Sequence, residues 1–238
     1  MEYYSPTELG DAYALLSQYG DGAIPVAGNT FFMGHREELF DEVEAVINIK
    51  KLGLSYIKLE DDLLKIGATT TLNEMFYHEI TSNGVYKIFA ETVNELNINE
   101  VRNMATIGGE VCIAGEVDMP TTLLAYDANI LIGGSNGTRT VSMADFHIGY
   151  LNNALETGEM VVEVQVPKPM ENARGGFSKF ERTAADLPIV NVAVRLALES
   201  NGSCKEARVS IGAATLSGVP MRSLAAEDIL VNQKVDEA

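Results

Sequence analysis

Two segments carry residue types that could hold an anion against bare backbone. The first is Pro25-Val26-Ala27-Gly28-Asn29-Thr30, continuing into Phe31, Phe32 and Met33. Gly28 lets a ligand approach the main chain, successive amides can point at one anion, and Thr30 adds a hydroxyl. The second is Arg102-Asn103-Met104-Ala105-Thr106-Ile107-Gly108-Gly109-Glu110. Its paired glycines again leave backbone open. A pyrophosphate suits such a site, because amide donors bind it without a costly buried cation. Either segment alone reads equally well as an ordinary glycine turn.

Other chemistries find little footing. The sequence has no GxGxxG and no GxxxxGK[ST]. His35, His78 and His147 are far apart and lack HExxH spacing, so they read as surface or loop histidines rather than metal ligands. Cys112 and Cys204 cannot build a disulfide scaffold or, alone, an iron–sulfur cluster. A reducing, cytoplasmic setting is expected. The N-terminus has no basic region followed by an apolar stretch, and no apolar run approaches the ~20 residues that span a bilayer. The net charge of −17 repels nucleic acid. It reads as a solvated acidic surface, or as a docking face for a more basic subunit.

The elements that must position the two segments can be read along the chain. Ser5-Pro6-Thr7-Glu8 reads as a capping box opening a helix through Leu9, Ala12, Leu15, Leu16 and Tyr19, stopped by Gly20. Ala23–Ala27 and Ala45–Ile49 read as short strands, giving a small α/β unit that ends near residue 55. A hairpin follows at Tyr56–Leu59 and Leu64–Gly67. Thr71-Leu72-Asn73-Glu74 is a second capping box, with helices predicted over 72–80 and 85–96. A polar loop is expected at Arg102–Gly109, and a helix at Thr121–Ala128. Asn136-Gly137 marks a hairpin between Ile130–Ile132 and Thr138–Val141. Met160–Val166 is a strand stopped by Pro167. Beyond a boundary near Arg174–Gly176, Val190, Val192, Val194, Leu196 and Leu198 alternate with smaller or polar residues. Asn201-Gly202 turns the chain and Ala207–Ala213 returns, an antiparallel meander with one buried face. Residues 223–230 read as a helix.

Together the two segments become specific. Ala27-Gly28-Asn29-Thr30, then Arg102-Asn103-Met104-Ala105-Thr106-Ile107-Gly108-Gly109, resembles the FAD-binding medium subunit of the molybdenum hydroxylases. This family includes carbon monoxide, xanthine and nicotinate dehydrogenases. The resemblance continues through Asp118, Pro120, Leu123–Ala128, Gly158-Glu159-Met160, Phe177–Arg182 and Ala207–Ala214, in the family's order.

The resemblance implies an α+β fold of the vanillyl-alcohol oxidase-like (PCMH) type. Residues 1–55 and 56–174 would form two FAD-binding subdomains, and 175–238 a shortened C-terminal antiparallel-sheet domain with helices. It implies FAD held by Val26, Ala27, Gly28, Asn29, Thr30, Phe31, Phe32 and Met33 and by Thr106, Ile107, Gly108, Gly109 and Glu110. Asp118 would lie near the FAD sugar, and Val161 and Lys179 near the flavin ring. It implies a large molybdopterin subunit and a small subunit with [2Fe–2S] clusters as partners. Electrons would pass through FAD to NAD or another acceptor, with no acid–base residues required of this chain.

Two departures stand inside the cradle. The family usually has asparagine where this chain has Glu110. Ala114-Gly115-Glu116-Val117-Asp118 is one residue shorter than the family's segment and lacks its serine. A carboxylate beside a pyrophosphate is repulsive unless it turns away or a cation intervenes. A flavin-free or weakly binding assembly subunit is therefore the alternative. A stand-alone flavin reductase on the related fold would need its own proton donor and substrate arginines, and no clear set is visible.

Overall fold

The computed structural model describes residues 1–35, 41–96, 98–183 and 186–235. The first sheet is parallel, in the order β1 (Glu2–Tyr4), β3 (Ala45–Asn48), β2 (Ala23–Val26). Parallel strands need a crossover, and helix α1 (Leu9–Tyr19) supplies the one from β1 to β2, past β3, burying Ala12 and Leu16. Gly20 ends the helix at φ +55, as expected. The capping box at Ser5 does not form. The N-cap is Glu8, without a side-chain bond, because the chain stays extended after Tyr4 pairs with Ile47.

The second sheet has the order β4 (Ile57–Glu60), β5 (Leu63–Gly67), β10 (Met160–Pro167), β6 (Asn129–Gly134), β7 (Gly137–Ser142), all antiparallel. Both predicted hairpins are present, and a short separate ribbon, β8 (His147–Gly149) with β9 (Asn152–Asn153), lies between β7 and β10 in the chain. Gly137 turns at φ +109, and Asp61 and Asp62 take positive φ between β4 and β5. A bulge at Val162 aims its carbonyl at Ala68 N–H, 2.9 Å away, which fixes the strand against the chain that leads into the helices. The predicted 72–80 helix is two pieces, Leu72–Tyr77 and Glu79–Ser82. His78 breaks them by adopting extended backbone and capping the second piece with Nδ1. The Thr71–Glu74 capping box holds in both directions. The next helix starts late, at Ile88, after a 3-10 turn that begins on Gly84.

The third sheet runs β11 (Ala173–Phe180), β12 (Val190–Leu198), β13 (Cys204–Gly212), β14 (Met221–Arg222), followed by the helix Leu224–Leu230. Its fully buried face is the one carrying Asn191, Ala193, Arg195 and Ala197. Valines 190, 192 and 194 are only half-buried. Small residues at alternate positions let the helix Met119–Ala125 lie close on β12 and β13, and two of the polar side chains there have specific partners, described below. The main core joins the second sheet to the helices around Phe89, Leu123, Tyr126 and Ile130. No helix is long and apolar enough to cross a membrane among the described residues.

Candidate functional site

The first segment leaves β2 and turns into helix α2 (Thr30–Gly34). Asn29 makes that turn in the left-handed region, φ 66 and ψ 9, which Asn tolerates better than most side chains. Its side chain does not cap the helix, and its Oδ1 is buried without a partner. The first intrahelical bond runs from Met33 N–H to Asn29 C=O at 3.1 Å, so the amides of Thr30 and Phe31 lie ahead of the ladder. Phe31 stacks on His35 at 4.1 Å between ring centroids.

The second segment is not the expected loop. Asn99–Arg102 is a helical turn, and Thr106 caps a second one, Ile107–Cys112, by accepting from Gly109 N–H. The two glycines differ in role. Gly108 donates to Ala68 C=O at 3.0 Å, and a Cβ there would stand 2.7 Å from the same oxygen. Gly108 is therefore a packing glycine. A Cβ on Gly109 would meet only Thr106 Oγ1, at 3.3 Å. Ile107 N–H is bonded to Thr70 C=O and Glu110 N–H to Thr106 C=O. The second segment thus offers open Cα surface at Gly109, while spare amides come from α2.

Gly28 brings the two segments together, since Met104 C=O sits where its side chain would be. Between them lies a cavity of about 430 Å³, within the size range of cofactor sites. Residues 26–32, Thr106, Gly108, Gly109, Glu110 and Val161 line it. Of the expected residues, Met33 is half exposed and outside the wall, and Ile107 is buried in the core. His35, Leu151 and Leu155 also line the cavity. His35 closes the end of α2, whereas Leu151 and Leu155 come from a distant segment that no local pattern marks.

Asp118 and Lys179 line a smaller cleft instead, which shares Glu110 with the cavity. Lys179 Nζ lies 3.2 Å from Asp118 and 2.8 Å from Glu181, its side chain 1% exposed. Burial opposes its charge, but hydrogen bonds and attraction from the two carboxylates outweigh that and raise its pKa. Asn191, wholly buried, donates to Asp118 at 2.7 Å and to Val117 C=O, while Thr121 donates to it. This positioning residue carried no sequence signal beyond its place in an alternating strand.

Glu110 is the exception to an otherwise neutral wall. Burial and the nearby Asp118 push its carboxyl up to about 7, against a bond from Met119 N–H and the Lys179 charge. Burial likewise pushes the Cys112 thiol up to about 12, so it stays uncharged. Among the described residues, no group of three or more His, Cys, Asp or Glu could hold a metal ion. Spare amides and the open Gly109 fit an anionic, pyrophosphate-bearing cofactor, and the unpartnered buried Asn29 oxygen, an acceptor, suits one of its hydroxyls. Glu110 alone does not.

The FAD binding domain in molybdopterin dehydrogenase matches residues 1–169, and the CO dehydrogenase flavoprotein C-terminal domain matches residues 176–238. The nicotinate dehydrogenase FAD-subunit of Eubacterium barkeri is 28% identical, over 97% of this chain and 79% of the relative. The carbon monoxide dehydrogenase medium chain of Hydrogenophaga pseudoflava is 30% identical, over 84% and 70%. A crystal structure of the Cu,Mo-CO dehydrogenase in its cyanide-inactivated form superposes with a TM-score of 0.93 at 26% identity. That match covers 100% of this chain and 82% of the other.

Proposed function

The chain belongs to the FAD-binding family of molybdopterin dehydrogenases, and from that premise we propose that it is the electron-transfer subunit of its complex. In this reading a small subunit with [2Fe–2S] clusters delivers electrons to it, and they leave for NAD or another acceptor. A large subunit carries molybdopterin and the substrate site. Bound FAD supplies the ability to exchange electrons singly or in pairs.

The residues of this chain bind and orient. The α2 amides and the open face of Gly109 receive the pyrophosphate, where backbone donors stabilise it without a buried cation. Val161, on the cavity wall, and Lys179, held between Asp118 and Glu181, are assigned to the flavin end. We take 1–55, 56–174 and 175–238 as the three units that build this arrangement. The observation that carries the reading is the cavity between the two segments, with its spare amides on one side and a bare glycine on the other. The visible spectrum of the purified chain, before and after added FAD, tests it. Oxidised-flavin bands with about one FAD per chain are expected. A colourless protein that takes up no FAD would overturn it.

A second reading rests on Glu110. A carboxylate on the cavity wall favours an assembly subunit that binds flavin weakly or not at all. Co-purification with partner subunits in flavin-free form would support it.

A further inference from the structure

Glu110 stands on two surfaces at once. It follows Gly109 in the Ile107–Cys112 turn, and it lines both the cavity and the smaller cleft. Asp118, Glu116 and Asp186 line the cleft with it, and Asp118 is close enough to disfavour its charge. The ammonium in that cleft, Lys179, is already held by Asp118 and Glu181. On the cavity side the titratable neighbours are His35 and the uncharged Cys112 thiol. An ionised Glu110 therefore has only the Met119 N–H and the already claimed Lys179 charge to set against these carboxylates. Turning away from a pyrophosphate brings it towards carboxylates, and no unclaimed cation stands nearby among the described residues.

We propose that Glu110 couples cofactor binding to protonation: as the cavity takes up FAD, the Glu110 carboxylate takes up one proton from solvent. This rests on the reading that the cavity is an FAD site. The proton adds to a carboxylate oxygen, the carboxylic acid then meets the phosphate wall without a charge, and nothing else changes covalently. The same carboxyl already titrates near neutrality because of burial and Asp118. The pyrophosphate dianion beside it raises its proton affinity further, for the same electrostatic reason. The chain would then fill with FAD more readily in mildly acidic than in alkaline conditions.

The test uses the full chain stripped of flavin. FAD is titrated from pH 6 to pH 9 by flavin fluorescence, and proton uptake is measured calorimetrically in buffers of different ionisation enthalpy. The expected result is nearly constant affinity below neutrality. Above it, Kd weakens by up to about tenfold per pH unit, with up to about one proton taken up per FAD. Glu110→Gln should flatten the profile near the acidic-limit affinity and abolish the uptake; Glu110→Asn, of different size, should do the same. Flat wild-type binding without proton uptake would overturn the proposal while leaving the FAD site intact. A slope that survives in Glu110→Gln but vanishes in His35→Gln would also overturn it. No binding by wild type or variants at any pH would instead remove the FAD reading itself.

Discussion

The Met104 carbonyl occupies the space that a side chain on Gly28 would need: a Cβ there would lie 1.8 Å from the oxygen and 2.6 Å from its carbon. Gly28 has no positive φ to explain it. Its role is contact. It keys the turn after β2 onto the approach to Thr106, and residues of both segments line the cavity.

Gly28→Ala must push Met104 away, and backbone does not yield as a flexible side chain does. A loss of about 1–3 kcal/mol is expected, seen as a drop of several degrees in Tm, together with reduced flavin content. Gly109→Val should behave oppositely. Its Cβ meets only Thr106 Oγ1 at 3.3 Å, so Tm should hold nearly constant while flavin is lost. Thermal melts and the ratio of flavin to protein absorbance distinguish the two. Equal Tm losses would mean that Gly109 is a packing residue like Gly28.

The contrast shows what the sequence could carry. Local signals read well: the Thr71–Glu74 capping box, the Asn136-Gly137 hairpin and the Gly20 stop need only nearby residues. Where tertiary contact decided, reading failed. Ser5 could cap only if the chain turned helical at once, but β1 pairing holds it extended. Gly108 and Gly109 look identical in sequence, and only Ala68, forty residues earlier on the chain, separates a packing glycine from an open one. Resemblance ties Lys179 to the flavin, yet its pairing with Asp118 becomes visible only when β11 meets that turn. Asn191 and Arg195 read as polar interruptions of a valine strand. They prove to be on its buried face.

Asp127, at φ 51, accepts from Arg195 at 2.8 Å, Arg208 at 3.1 Å and Arg222 at 3.1 Å. One carboxylate at the end of the Met119–Ala125 helix thus ties down β12, β13 and β14. Asp127→Asn keeps the left-handed backbone accessible and removes the charge. Asp127 is partly exposed and Arg195 retains Glu206, so the cost should stay near 1–3 kcal/mol rather than the larger cost of a fully buried pair. Urea unfolding reads it as a lower midpoint at unchanged slope. An unaltered midpoint would show that the other ion pairs suffice.

Glu110 should also mark the stability of the flavin-free chain. Its carboxyl is raised from 4.5 to about 7 in the fold. Between those values the unfolded chain releases the proton while the folded chain keeps it. Stability from this group is therefore full below 4.5, falls as pH rises, and levels off above about 7. The total is on the order of 3 kcal/mol. Glu110→Gln should match wild type near pH 4.5 and exceed it at pH 8, in urea unfolding of both proteins across that range. A constant difference at all pH values would place the titration elsewhere.

Lys179 allows its structural and electronic roles to be separated. Removing it leaves Asp118 and Glu181, only 12% and 15% exposed at their side chains, facing each other without a cation. Lys179→Met should cost about 3 kcal/mol. If the lysine also faces bound flavin, the variant lowers the flavin reduction potential, because one positive charge is gone and two negative ones remain. Adding Glu181→Gln restores the original net charge of the trio. That double variant should recover part of the potential and part of the stability. A potential that never moves, while stability falls and recovers, would leave Lys179 as the clamp between β11 and Asp118 and nothing more. Spectroelectrochemical titration of FAD-loaded wild type and both variants, set beside their urea midpoints, separates these outcomes.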